Sequence, residues 1–191
     1  MDKILVMPIA VDLEKFRPRD KILNSVVFVG RLSLEKNLSS LMEAMSTERW
    51  GELHVVGDGP LRSVLGGIQQ RLCVPVQWHG AVPHEVLPAL LGRMEYLVVP
   101  SLYDQAPKVI VEGMACGCLI IASYPLHHMV DDGITGYLCD PTGVGIATAL
   151  RRVRDDPNRE KARQAALEYV REHHGLQKVM EAEREVLRCL K

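Results

Sequence analysis

The sequence predicts an α/β fold, a doubly wound parallel sheet of about six strands with helices on both faces. Three observations support this prediction. Short runs of β-branched and other apolar residues recur along the 191 residues, as they do in buried parallel strands. Segments with helical spacing of apolar residues lie between them, which favours right-handed strand–helix–strand crossovers. Several runs also stop at glycine or proline, as at Gly30, Gly57 and Pro100.

The first half of the chain alternates strand and helix three times. Residues 1–24 look irregular, charged and proline-punctuated, as linkers and surface loops do. Strands are predicted over residues 25–30, 53–57 and 74–78. Proline starts two of the helices that follow, over residues 60–71 and 83–91. The first helix is marked by one apolar stripe, formed by Leu38, Leu41, Met42 and Met45.

The second half continues the alternation and ends in helices. Strands are predicted over residues 96–100 and 119–123, with a sixth strand, at an edge of the sheet, over 135–139. A helix is predicted over residues 107–116, with Pro107 at its first helical position. The tail from residue 144 onward is helical and charged, and residues 176–190 form a last amphipathic helix.

Composition excludes several classes of function. The net charge of −1 provides no basic field for nucleic acid or anionic membranes, and 5% aromatic content argues against base stacking. No run of 18 apolar residues predicts a membrane span. The five cysteines are odd in number and lack zinc spacing, and Cys116 and Cys118 are interpreted as core residues. These cysteines favour a reducing cytoplasm.

In doubly wound sheets, ligands bind at the carboxyl ends of the strands, so the loops there are the candidate sites. The loop after the first strand carries Arg31 and Lys36 ahead of a helix. Arg offers a bidentate fork and Lys a point charge, which together suit a diphosphate. The alternative is a solvated loop with an ordinary Glu35–Lys36 surface pair.

Two carboxylates, Asp104 and Glu112, flank the start of the helix at Pro107. The free amides of Lys108 and Val109 would face an anion at the positive end of the helix dipole. Each carboxylate can accept from two neighbouring hydroxyl groups, so this pair suits the two sugars of a nucleotide sugar. The alternative is that Asp104 caps the helix and Glu112 is an exposed surface acid.

Two weaker features remain. The glycines of Gly57-Asp58-Gly59 allow a ligand to approach the backbone, but they also suit a simple tight turn. His127 and His128 are predicted to begin a helix after the fifth strand; a metal pair there lacks a suitable third ligand, so no metal site is expected.

Taken together, these segments resemble the C-terminal domain of the group 1 (family 4) retaining glycosyltransferases, which have the GT-B fold. Matching segments occur in the family's order across residues 8–145. They are residues 8–18, 29–36, 56–60, 79–80, 100–117 and 132–136. Each match is weak alone, but the ordered set is highly specific.

The resemblance implies a nucleotide-diphospho-sugar donor and a metal-independent reaction that needs no cofactor. Arg31, Lys36 and Asp104 would have catalytic roles, with the two cations stabilising the diphosphate leaving group and Asp104 holding the transferred sugar. Glu112 would hold the ribose. The remaining donor-binding residues would be Gly30, Gly57, Gly80, Val82, Pro107, Lys108 and Val109.

The resemblance also divides the chain. Residues 1–24 would be the interdomain linker, 25–175 the nucleotide-sugar-binding domain, and 176–191 a helix that crosses back to an N-terminal acceptor domain absent from this chain. The resemblance implies that this acceptor domain, or a partner chain that carries it, is a partner of the protein. It also implies self-association through the last helix and peripheral membrane contact through the missing half.

The chain departs from the family at several positions. Asp104 stands where the family has Glu, and Tyr124-Pro125 and His128 replace a Gly-Gly pair and a Glu. These departures keep open a catalytically idle binding or interaction module. The nonhydrolysing nucleotide-sugar epimerases are a third, poorer fit.

Overall fold

The computed structural model describes residues 8–104, 107–126 and 128–189. Its core is a six-stranded parallel sheet in the order β3-β2-β1-β4-β5-β6. The strands are β1 (Ile22–Val29), β2 (Leu53–Val56), β3 (Val76–Gly80), β4 (Met94–Val99), β5 (Leu119–Ser123) and β6 (Tyr137–Cys139). The predicted doubly wound sheet is confirmed, with β6 at one edge.

Seven helices accompany the sheet in the part of the chain that the structure describes. They are α1 (Leu38–Glu48), α2 (Arg62–Leu72), α3 (Leu87–Leu91), α4 (Lys108–Ala115), α5 (Gly143–Asp155), α6 (Arg159–His173) and α7 (Leu176–Cys189). Two short 3₁₀ turns, Leu34–Lys36 and Tyr124–Leu126, complete the regular structure.

Helices cover both faces of the sheet, because successive strand residues point to opposite sides. In β1, Val26 and Phe28 join a core that includes residues of α1, α2 and α5. Val27 joins a second core that includes residues of α3 and α4. Cys116 and Cys118 are fully buried, which confirms that they are core residues.

Several predicted boundaries were wrong by a few residues. β1 begins at Ile22, so the first strand starts inside the segment interpreted as linker. β3 lies two residues later than predicted, and the helix expected from residue 83 is formed only as α3, from Leu87. The polypeptide from 83 to 86 is instead a turn, closed by the amide of Val86 on the carbonyl of Pro83 at 3.0 Å.

The described part of the segment interpreted as linker, residues 8–21 and here called the linker segment, packs onto the rest of the protein. The amide of Val11 donates to His174 O at 2.8 Å, and Val11 O accepts from the amide of Leu176 at 2.9 Å. Phe16 is 3% exposed and belongs to the core beside α3 and α4. This segment is therefore fixed at the point where α6 ends and α7 begins.

Candidate functional site

The strand order reverses between β1 and β4, which are neighbours in the sheet although two strands separate them in sequence. Loops that leave the carboxyl ends of such a pair diverge to opposite faces and leave a crevice between them. In this chain the two loops begin at Gly30 and Pro100. Arg31 and Lys36 lie in the first loop and Asp104 in the second, whereas Glu112 lies further along, in α4.

Lys36 and Asp104 form an ion pair across this crevice, although 68 positions separate them. Their side chains are 26% and 18% exposed, so the pair is largely shielded but reachable from solvent. The alternative, an ordinary surface pair of Lys36 with Glu35, is not the arrangement found, because Lys36 pairs with Asp104. Glu35 accepts from the hydroxyl group of Ser33 instead, and this hydrogen bond lowers the pKa of the Glu35 carboxyl group.

Backbone contacts hold the two loops together. The amide of Leu102 donates to the carbonyl of Glu35 at 2.8 Å. Asn37, which is buried and has a left-handed backbone (φ 55°), donates its side-chain amide to Pro100 O at 3.0 Å and to Pro141 O at 2.6 Å. Asn37 thus fixes the loop that carries Lys36 against the loop that carries Asp104, a role that the sequence argument missed.

Glu112 is buried, with 3% of its surface exposed, so the alternative of an exposed surface acid was wrong. It lies at the fifth position of α4, beyond the first turn of the helix. Its Oε1 atom lies 2.8 Å from Nε2 of His84 and 3.6 Å from Nζ of Lys108. A buried carboxylate requires such partners, because losing water without them would cost several kcal/mol.

Pro107 is the N-cap of α4 and not its first helical residue, with extended dihedral angles of φ −68° and ψ 103°. Lys108 and Val109 therefore occupy the first two helical positions. Their amides belong to the first turn, whose N–H groups have no acceptor within the helix. The first hydrogen bond of the helix runs from the amide of Ile110 to the carbonyl of Pro107, at 3.0 Å. The amides of Lys108 and Val109 thus lie at the start of α4, one position earlier in the helix than predicted.

A groove of about 250 Å³ lies beside the crevice at the ends of β1 and β2. It contains four of the predicted donor-binding residues and His84. Its lining is Val29, Gly30, Arg31, Val56, Gly57, Asp58, Ala81, Val82, His84 and Leu87. Arg31 is exposed at this groove, and Gly80 adjoins it through its carbonyl, which accepts from the amide of Gly57 at 2.7 Å.

Glycine is required at position 57. Its φ of +128° is unfavourable for other residues, and a Cβ atom there would lie 2.0 Å from Gly30 O. Gly57 therefore allows the loops after β1 and β2 to approach each other closely, and it also allows the tight turn after β2.

The remaining candidates are two histidines and two cysteines. His128 lies in an exposed turn after a 3₁₀ turn, so the helix predicted to begin there was wrong, and His127 lies outside the described residues. Among the residues that the structure describes, no cluster of three or more His, Cys, Asp or Glu side chains could hold a metal ion. Burial raises the pKa values of the Cys116 and Cys118 thiols, so neither is a candidate nucleophile.

His84 is the main site residue that the sequence argument missed. The only available indication was its position two residues beyond Val82, in a loop that follows a strand end. Its relation to Glu112 could not be predicted, because 28 residues and two further elements separate them.

Comparison with known proteins identifies the family. The family model "Glycosyl transferases group 1" matches residues 24–156, well over half of the chain. This chain belongs to the group 1 glycosyltransferases. The resemblance recognised from its motifs is thereby confirmed.

Similar proteins support the same assignment. Over 145 residues the chain is 30% identical to an alpha-D-kanosaminyltransferase of Streptomyces kanamyceticus, covering 69% of this chain and 36% of the relative. Sucrose-phosphate synthase of Thermosynechococcus elongatus superposes with a TM-score of 0.86 at 26% identity, covering 96% of this chain and 52% of that one. HepE of Anabaena has a TM-score of 0.84 at 17% identity, covering 97% and 57%, which shows a shared fold.

The chain thus spans between about a third and somewhat more than half of the length of these relatives. Within the described residues, none of its helices is long and apolar enough to cross a membrane.

Proposed function

We propose that this chain is the donor-binding domain of a retaining glycosyltransferase, which transfers a sugar from a nucleotide-diphospho-sugar to an acceptor. The observation that carries the proposal is the Lys36–Asp104 ion pair at the strand-order reversal, beside the open first turn of α4. It places a cation for phosphate, an acid for sugar hydroxyl groups and free helix amides in one crevice. The HepE structure named above was determined in complex with UDP-glucose, which agrees with this class of donor.

Each part of the donor has a matching group. Lys36 and Arg31 would neutralise the diphosphate and stabilise it as the leaving group, with help from the amides of Lys108 and Val109. Asp104 would accept from hydroxyl groups of the transferred sugar. Glu112 would accept from the ribose, and the groove between Gly57 and Val82 would border the base.

We propose that the reaction needs no metal ion or cofactor. A divalent cation commonly neutralises the leaving diphosphate in phosphate chemistry. Here two side-chain cations and the positive end of α4 are available for that task. Retention of configuration follows from the family resemblance.

We propose that sugar transfer also needs an N-terminal acceptor domain, either fused to this domain or on a partner chain. The lengths of the relatives support this, because this chain spans only part of each.

We also propose a cytoplasmic location. The four cysteines whose side chains are described are free thiols; they are Cys73, Cys116, Cys118 and Cys139.

A thermal-shift screen of UDP-, GDP- and ADP-sugars tests the binding function, because a ligand of the folded state raises its apparent stability. At least one of these donors should raise the melting temperature. With the corresponding nucleoside diphosphate, Lys36→Met should weaken binding by about 10- to 100-fold, the loss expected for one hydrogen bond to a charged group.

Lys161→Met is the matched control, since Lys161 is exposed on α6 and far along the chain from the crevice. It should bind like the unmodified protein. No shift with any of the donors, or equal affinity of Lys36→Met and the unmodified protein, would refute the proposed donor site.

A catalytically idle interaction module is the second candidate, and α7 is the observation that favours it. Leu176, Met180 and Leu187 on this helix are 40%, 42% and 56% exposed, so its apolar stripe is largely uncovered in this chain. Sugar transfer on adding an N-terminal half from a relative would exclude the idle module. Donor binding without transfer in that mixture would support it.

A further inference from the structure

His84 contributes a contact to the proposed ribose subsite that neither the motifs nor the comparisons assign. Its Nε2 atom lies 2.8 Å from Oε1 of Glu112, within hydrogen-bond distance. We assign the donor role in this contact to Nε2 of His84, because an imidazole N–H can donate to a carboxylate oxygen. Nζ of Lys108, at 3.6 Å from the same oxygen, is too far for a hydrogen bond and acts only through its charge.

Glu112 needs a donor from outside its own helix. The side chain is 4% exposed and lies among the buried residues Val111, Gly113 and Met114. At the fifth helical position it is also beyond the free amides of the first turn. His84 can provide such a donor, because its Nε2 atom lies 2.8 Å from Oε1 of Glu112.

The His84 side chain is 56% exposed, and one ring contact restrains it beside Glu112. The turn over residues 83–86 is closed by the Val86 amide on Pro83 O at 3.0 Å. The ring packs against Phe16 at 5.4 Å between centroids, tilted by 49°, and Phe16 is itself 3% exposed. The imidazole therefore lies beside Phe16, lines the groove and places its Nε2 atom next to Glu112.

Both described partners of Glu112 contact the same oxygen, Oε1. These two contacts restrain the carboxylate from rotating. We propose that His84 is a positioning residue that orients Glu112 for the ribose diol of the donor nucleotide. The inference rests on the proposed function, because it assumes that Glu112 receives the ribose.

The test compares the affinities of UDP, GDP and ADP with those of their 2′-deoxy and 3′-deoxy counterparts, by calorimetry. The unmodified protein should prefer the ribonucleotide by about tenfold, as expected for one hydrogen bond to a charged group. His84→Phe keeps a ring against Phe16 but removes the donor. It should weaken ribonucleotide binding by about five- to tenfold, leave deoxynucleotide binding nearly unchanged, and so abolish the preference.

Two further variants separate positioning from a general structural effect. In His84→Gln the side-chain amide nitrogen can reach the place of Nε2, so this variant should recover most of the preference. In a Glu112→Ala background, His84→Phe should have no additional effect, because the group it positions is absent. His173→Phe is the matched control; His173 is exposed on α6 and stacks on Tyr169, and its replacement should change no affinity.

The outcomes distinguish the two proposals. If the unmodified protein binds none of the three nucleoside diphosphates, the proposed function fails and this inference fails with it. If the protein binds one of them and His84→Phe keeps the full ribose preference, only the role of His84 is refuted. A thermal melt of each variant confirms that affinities are compared between folded proteins.

Discussion

Asp104 and Lys36 neutralise each other in the free protein, so a diphosphate that binds Lys36 must share it with Asp104. The family's Glu is replaced here by a side chain one methylene shorter, and the shorter acid still reaches Lys36. A part-shielded ion pair of this kind typically contributes about 1 kcal/mol or less. The competition is therefore weak, and it lowers the affinity of Lys36 for a diphosphate.

Asp104→Asn should reveal this competition. The substitution keeps the shape of the side chain but removes the charge that faces Lys36. We expect UDP, which lacks the transferred sugar, to bind with equal or up to about fivefold higher affinity, because its diphosphate no longer competes with a carboxylate. Calorimetry measures the effect. Asp155→Asn, at an exposed acid of α5, is the control, and a tenfold loss of UDP affinity in Asp104→Asn would contradict the expectation.

His54 gives the domain a predictable dependence on pH. It is 4% exposed in β2, with Nδ1 at 3.0 Å from Nε2 of His79 and Nε2 at 3.3 Å from Glu52. Burial holds the pKa of His54 below its ordinary value of 6.5, an effect that His79 reinforces and Glu52 opposes. Below pH 6.5 the unfolded chain therefore binds a proton at this residue that the folded protein does not.

The free energy of unfolding should consequently decrease as the pH falls below about 6.5. His54→Gln removes the titrating group, so the difference in stability between pH 7 and pH 5 should be smaller in this variant. Urea unfolding at a series of pH values measures the difference. His173→Gln, on the exposed side of α6, should keep the slope of the unmodified protein; identical slopes in His54→Gln would show that His54 does not contribute.

At the scale of elements, α4 contributes both to the candidate site and to the packed core. Its first turn opens onto the crevice, while its later residues pack against the sheet between β4 and β5. Gly113 allows this close packing, since a Cβ atom there would lie 2.3 Å from Cδ2 of Leu97 and 3.2 Å from Cδ1 of Ile120. Glycine at this position lets the helix approach the sheet closely.

Gly113→Ala should destabilise the protein by about 1–3 kcal/mol, the usual cost of overpacking a core. Gly67→Ala is the matched substitution on α2, where nothing lies within 4 Å of the added Cβ. It should stabilise the protein by about 0.5–1 kcal/mol, because alanine loses less conformational freedom in a helix. Chemical unfolding compares the two, and equal effects would contradict the packing argument.

At the scale of the whole molecule, the sheet determines where the charges meet. The order β3-β2-β1-β4-β5-β6 brings the loops after β1, β2 and β4 to one edge, although they come from distant parts of the sequence. The described linker segment packs at this domain through Phe16 and Val11, and the uncovered stripe of α7 leaves room for a partner. Self-association through α7 stays a prediction.

The proposed metal-independence is also a prediction for the whole site. UDP affinity in the presence of a chelator should equal that in the presence of Mg²⁺ within about twofold, because Arg31, Lys36 and the start of α4 provide the positive charge. Calorimetry in the two buffers measures this. An affinity more than about tenfold higher with Mg²⁺ would contradict it.

The local pattern of apolar residues in the sequence was sufficient to predict the main features of the fold. The apolar runs and helical stripes determined the parallel sheet, the number of strands and the helix at Lys108–Ala115, because burial imposes those periodicities on the chain itself. The strand-end loops that carry Arg31, Lys36, Gly57 and Asp104 followed from the same pattern. The boundaries of the strands and helices were predicted less accurately. β3 lies two residues later than predicted, because turn geometry and strand pairing decide where a strand begins.

The partners of the site residues came only from the tertiary structure. Sequence spacing could not show that Lys36 pairs with Asp104, that Asn37 joins their loops, or that His84 reaches a buried Glu112. Each of these contacts joins residues that are far apart along the chain, and their distances depend on strand order and helix packing. Local sequence thus determined which chemical groups this protein carries at its strand ends, and the folded sheet decided which of those groups meet.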